Sequence, residues 1–146
     1  MSLQVKAGDF IEEVDYAHPI QYYERATVRT KWLTGTKIDD DARTVFTQGQ
    51  CHAIAIALHN LMGWAIVLLY VGGSDSGWHF VAESPWGLVD IDGLGVESRY
   101  DILETSPTSV GETLWLVGHW GMFEPNLEVA AEYAALVVKQ VSNTAN

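Results

Sequence analysis

The stretch from Cys51 to Val71 constrains the fold of this chain more than any other. Apolar residues at 51, 54, 55, 58 and 62 recur at the spacing of three and four that marks one face of a helix, and Gly63 stands where a left-handed C-terminal cap belongs. The run that follows, Trp64 to Val71 (WAIVLLYV), is continuously apolar and partly β-branched, and it stops at Gly72-Gly73. Such a run reads as a strand buried on both faces.

The next segment predicts a hairpin. His79 to Glu83 and Leu88 to Ile91 flank the turn-forming tetrapeptide Ser84-Pro85-Trp86-Gly87. A two-residue loop of Pro85-Trp86 sets His79 opposite Asp92 with Asp90 on the same face, whereas a three-residue loop with a bulge at Gly87 puts them on opposite faces.

Outside this centre, Pro19 to Leu33 predicts a helix with Pro at its first position. Thr34-Gly35-Thr36 and the run Asp39-Asp40-Asp41 read as a solvated turn or a helix cap. Thr113 to Val117 reads as a strand, and Gly118 to Pro125 as a loop holding His119 and Trp120. Asn126 caps a closing helix whose apolar stripe is Leu127, Ala130, Ala131, Ala134, Val137, Val138 and Val141. The expected fold is α+β, one domain over residues 1–146, with helices at both ends and a central cysteine-bearing helix packed on a small antiparallel sheet.

Charge narrows the partners. Nineteen acidic against eight basic residues give a formal charge of −11, which repels a phosphate backbone and an anionic bilayer surface, so neither nucleic acid nor membrane is expected as a partner. The longest apolar stretch is too short to span a bilayer. A single cysteine excludes an internal disulfide, and no charged-then-apolar signal segment opens the sequence, which makes a reducing cytoplasm the expected setting. Oligomeric state is left open.

Cys51 follows Phe46-Thr47-Gln48-Gly49-Gln50, so a turn containing glycine delivers the thiol onto the first turn of a helix. There the unpaired N–H groups and the helix dipole favour a thiolate, and the same N–H groups suit the oxyanion formed when it attacks a carbonyl. Gln48 or Gln50 offers a further amide donor. Catalysis also requires the sulfur to be partly exposed in a cleft. The competing role is that of a small buried apolar residue in an Ala- and Ile-rich helix.

His79 opens a strand downstream of this cysteine, and Asp90 and Asp92 lie on the strand folding back beside it. This order of helix-borne Cys, strand-borne His and neighbouring-strand Asp resembles the papain-like superfamily, particularly its transglutaminase-like and arylamine N-acetyltransferase branches, over residues 46–93. The resemblance implies a papain-like core and an acyl-enzyme mechanism on an amide, isopeptide or thioester bond of a protein or peptide substrate. It implies Cys51 as nucleophile, His79 as base and Asp90 as orienter, with Asp92 the alternative. No cofactor is expected. Trp78 and Trp86 are candidates to wall the cleft beside His79.

The remaining histidines offer weaker chemistry. His52 and His59 lie two helical turns apart and could join Cys51 around a metal, but no CxxC or HExxH spacing supports it, and no metal is expected. Adjacent helix residues point about 100° apart, which turns His52 away from the sulfur. His119 is a secondary base candidate. The rival to an enzyme is a non-catalytic domain of the same fold that holds a basic protein partner through aromatic and acidic surface. A metal-binding domain is third.

Overall fold

The computed structural model describes residues 17–24 and 26–145, and they form an α+β structure. Strands β1 (His18–Glu24) and β2 (Thr27–Leu33) make a two-stranded antiparallel ribbon. The helix expected over Pro19 to Leu33 is therefore a hairpin. Ile20 and Tyr22 alternate into the core and Leu33 joins them, while β-branched Thr27, Val28 and Thr30 fit the pleat. The turn is made at Ala26, at a φ of 64°. Pro19 is accommodated because β1 pairs on one side only.

Helix α1 (Asp40–Thr47) starts at Asp39, whose carboxylate accepts the Ala42 N–H at 2.9 Å, so the acidic run is a helix cap. A tight link through Gly49, at a φ of 111°, leads into helix α2 (Cys51–Met62). Gly63 ends α2 at a φ of 73°, with its N–H on the His59 carbonyl. Both were expected. Residues 51–58 are all buried, so the first two turns of α2 are enclosed on every side and form the centre of the molecule, while Asn60, Leu61 and Met62 at its end are exposed.

The main sheet holds β3 (Ala65–Gly72), β4 (Gly77–Ser84), β5 (Gly87–Val89) and β6 (Asp101–Thr108), in the order β5-β4-β3-β6, all antiparallel. Ile66, Leu68 and Phe80 on one face pack with Cys51, Ala55 and Ile56 of α2 and with Val117 of α4 (Val110–His119). Val67, Leu69, Val71, Val81 and Leu88 on the other face pack with Val96 of the short helix α3 (Val96–Arg99) and with Tyr100 and Ile102. Across α2 from the sheet lies α5 (Leu127–Ala145), which presents Val129, Ala130, Tyr133, Ala134, Val137 and Val141 to Ala53, Ile54, Ala57 and Leu58. Asn126 caps α5 through the Val129 N–H.

Thr113 to Val117 is helical, within α4, where a strand was expected. Ser109 decides it: its hydroxyl accepts the Glu112 N–H at 3.1 Å and bonds the Glu112 carboxylate at 3.2 Å, a start signal that outweighs the β-like composition of Leu114 to Val117. β6 was not anticipated either. It is an exposed edge strand with polar residues and Pro107, so it carries no buried face for a hydrophobic pattern to reveal. Among the described residues no helix is long and apolar enough to cross a membrane.

Candidate active site

Register decides how the hairpin presents its chemistry. Ser84 pairs with Gly87 and Ala82 with Val89, so the connection is the two-residue loop Pro85-Trp86. Ser84 and Gly87 close that loop as a hydrogen-bonded pair, which directs the N–H groups of Ser84, Ala82 and Phe80 towards β5. Because β5 ends at Val89, opposite Ala82, the Phe80 N–H lies past the end of the neighbouring strand. The Cys51 sulfur sits there. Backbone N–H groups of Phe80 and, at the helix start, of His52 and of Cys51 itself lie near enough to it to favour the thiolate. The thiol is thus held between the first turn of α2 and the residue that follows His79, and Asp90 lies close enough for its charge to oppose the thiolate.

Exposure and acidity differ from the sequence expectation. Cys51 is only 6% exposed, enclosed by Ala55, Ile56, Ile66, Leu68, Phe80 and Val117 with Met122 packed alongside. Burial pushes the thiol pKa up, and the nearby backbone N–H groups that favour the thiolate do not overcome the loss of solvation. A partly exposed sulfur with a lowered pKa is therefore not what this structure contains.

His79 alternates with Phe80 onto the sheet face of Val81, where its ring lies 4.7 Å from that of Tyr100 at 47°. The acidic candidates separate. β5 is shorter than expected, because the chain turns at Asp90: the N–H of Asp90 bonds the Gly93 carbonyl, and the N–H of Gly93 bonds the Asp90 carbonyl. Asp92 is carried away from the hairpin by this turn and pairs with Arg43 at 3.1 Å. Asp90 stays buried, accepting the Asp92 N–H at 2.8 Å and pairing with Arg99 at 2.5 Å. Burial pushes its pKa up to about 6, against the opposing pull of Arg99 and of the Asp92 N–H. Sequence reasoning missed both arginines, since neither stands at a spacing that announces its partner.

Gln50 is buried and its amide is committed. Its Nε2 donates to the carbonyls of Gln21 (3.3 Å) and Glu124 (3.4 Å), and its Oε1 accepts the Asn126 N–H at 3.3 Å. An oxyanion role for Gln50 would require one of these bonds to break, whereas Gln48, which follows α1, is exposed. His52 is fully buried and pairs through Nε2 with the Phe123 carbonyl at 2.8 Å, which leaves Nδ1 without a partner. Desolvation lowers its pKa to about 4, so it is neutral at pH 7. Together Gln50, His52 and Tyr23, whose ring stacks on Phe123 at 4.4 Å, strap residues 121–126 across the start of α2.

A groove of about 410 Å³ opens beside this strap, lined by Leu114, Val117, Gly118, Met122, Glu124 and Pro125. Val117 and Met122 are shared with the enclosure of Cys51. Of the tryptophans proposed as cleft walls, Trp78 stacks with Trp120 at 5.7 Å, and Trp120 in turn lies 6.3 Å from Phe80. Trp86 packs edge-on against Trp64, which follows the opposite end of α2, about 18 Å of helix away from Cys51. His59 bonds the Trp64 carbonyl, and His119 stacks on Trp115 within α4. Among the described residues no three His, Cys, Asp or Glu side chains cluster as a metal site. No protein-family model, curated protein or solved structure matches this chain.

Proposed function

We propose that this chain is a cysteine-dependent acyl-transfer enzyme with a papain-like, transglutaminase-like core, acting on an amide, isopeptide or thioester bond of a protein or peptide. The observation that carries the reading is the seat of the Cys51 sulfur at the α2 N-terminus, beside the Phe80 N–H at the open edge of β4 and within electrostatic reach of Asp90. His79 stands on the other face of β4, so the step requires its ring to reach the sulfur around that edge. In the proposed step the thiol proton passes to the His79 imidazole while the sulfur electron pair forms a bond to the substrate carbonyl carbon and the carbonyl π pair moves onto oxygen. Backbone N–H groups around the sulfur stabilise that oxyanion. Collapse expels the amine or thiol, which takes the proton from the imidazolium, and water or an amine then resolves the acyl-Cys51. Asp90, favoured over Asp92 because it is buried and its charge reaches the thiol, orients the imidazole. The burial of the thiol makes movement of the 121–126 strap, which holds Met122, a requirement for substrate access.

The test is labelling of Cys51 by a carbonyl electrophile in the wild type, His79→Ala, Asp90→Asn and Asp92→Asn, with a thermal melt of each. The expected result is a loss of about 10²-fold or more in His79→Ala, the range of general-base catalysis, with an Asp90→Asn defect larger than that of Asp92→Asn. Slow labelling that ignores His79 would point to the second reading, a non-catalytic binding domain of the same fold. That reading is favoured by the near-complete burial of Cys51 and its raised pKa.

A further inference from the structure

The end of the sheet nearest Cys51 carries an exposed aromatic cluster. Tyr70 and Trp78 are cross-strand partners with ring centroids 4.8 Å apart, and Trp120 stacks on Trp78 at 5.7 Å and 22°. These rings keep 39%, 46% and 37% of their surface in solvent. Glu104 of β6 is the partner of Tyr70 on its other side, so its carboxylate shares this sheet face. The register shift just beyond this pair leaves Leu103 as an extra residue in β6, a bulge of the kind that re-aims neighbouring side chains. Glu104 makes no ion pair among the described residues, whereas Arg29, Lys31, Arg43 and Arg99 are all paired with carboxylates.

We infer that this cluster is a subsite for a cationic side chain, arginine in preference to lysine, on the substrate that acylates Cys51. Electron-rich ring faces attract a cation, and a planar, weakly hydrated guanidinium stacks on indole while donating to a carboxylate. Glu104 supplies that carboxylate, and the net charge of −11 draws cations to the surface as a whole. Distance fixes which substrate residue enters. Trp78 lies two strand residues, about 6.6 Å, from Phe80, whose N–H is beside the Cys51 sulfur, and an extended peptide spans that in two residues, leaving the side chain to cross Trp78 and Tyr70 towards Glu104, two strands or about 9.6 Å away. The cation therefore belongs one or two positions from the scissile carbonyl.

This inference rests on the acyl-transfer reading, and the experiment separates the two. Peptidyl chloromethyl ketones carrying arginine or its uncharged isostere citrulline are compared for the rate of labelling of Cys51, and the parent peptides are titrated against Cys51→Ala by tryptophan fluorescence. The expected result is labelling by the arginyl reagent about tenfold faster than by the citrullinyl one, and the same preference in binding. The ratio falls towards one in Glu104→Gln. It persists in Glu128→Gln, which removes an equal charge from the first turn of α5. If both reagents label Cys51 equally and bind equally, the cation subsite is overturned while the catalytic reading stands. If neither labels but the arginyl peptide still binds preferentially through Glu104, the subsite stands and the catalytic reading fails.

Discussion

His52 and Asp90 are buried ionisable side chains whose proton affinities move in opposite directions on folding. Asp90, ordinarily at 3.8, is raised to about 6, so the folded chain keeps a proton that the unfolded chain releases. Its contribution is complete below about pH 4 and is lost as pH rises through 6. His52 is lowered from 6.5 to about 4, so its contribution is complete above pH 6.5 and is lost as pH falls towards 4. Each shift corresponds to about 3 kcal/mol, at about 1.4 kcal/mol per pKa unit, and over pH 4–6 the two largely cancel. Variants expose what the wild type hides. Relative to wild type, Asp90→Asn should lose stability as pH drops from 6.5 to 4, and His52→Leu should gain it over the same range. Urea melts at half-unit steps of pH measure both slopes, and parallel curves for all three proteins would mean that the two groups titrate alike in both states.

At the scale of elements, the join between α1 and α2 is where local geometry meets the site. Gly49 has a φ of 111°, and a Cβ there would lie 3.1 Å from the Tyr23 backbone N and 3.4 Å from the Tyr22 Cα. Gly49→Ala therefore meets the backbone of β1 first, with the Tyr23 ring Cδ2 also at 3.4 Å, and should destabilise the fold by about 1–3 kcal/mol in a denaturant titration. Ser109→Ala, which removes the α4 cap, should cost about 1 kcal/mol without changing Cys51 labelling. A larger loss would mean that the hydroxyl does more than cap. How far the sequence revealed each element follows from what stabilises it. α2, Gly63 and β3 were legible because their patterns are local and uninterrupted. The β1–β2 ribbon was not, since Gln21, Glu24 and Arg29 suit a helix and the choice is made by Ile20, Tyr22 and Leu33 meeting a core elsewhere in the chain. At the candidate site, Cys51 at a helix start and the hairpin were readable, whereas the choice between a two-residue and a three-residue loop was settled only by the Ser84–Gly87 pairing. The partnerships Asp90–Arg99 and Asp92–Arg43 were not, because they depend on a turn at Asp90 and on α1 lying against it.

For the molecule as a whole, strand order and sequence order part company. β3, β4 and β5 follow one another and lie side by side, but β6 returns past α3 to the far side of β3. Contacts within residues 51–89 close short loops, while the β3–β6 pairing closes a longer one and has only one buried neighbour to hold it. Stability should therefore be uneven. Amides that bond β3 to β6 should exchange with deuterium faster than those that bond β3 to β4, and equal protection would show that the sheet opens only as a unit. An opening confined to β6 removes Glu104 from Tyr70 and leaves the helix start, Phe80 and the Cys51 sulfur together. On the proposed acyl-transfer reading with its cation subsite, the molecule in mild denaturant loses its discrimination between charged and uncharged substrates before it loses its nucleophile, becoming a less selective reagent on the way to being unfolded.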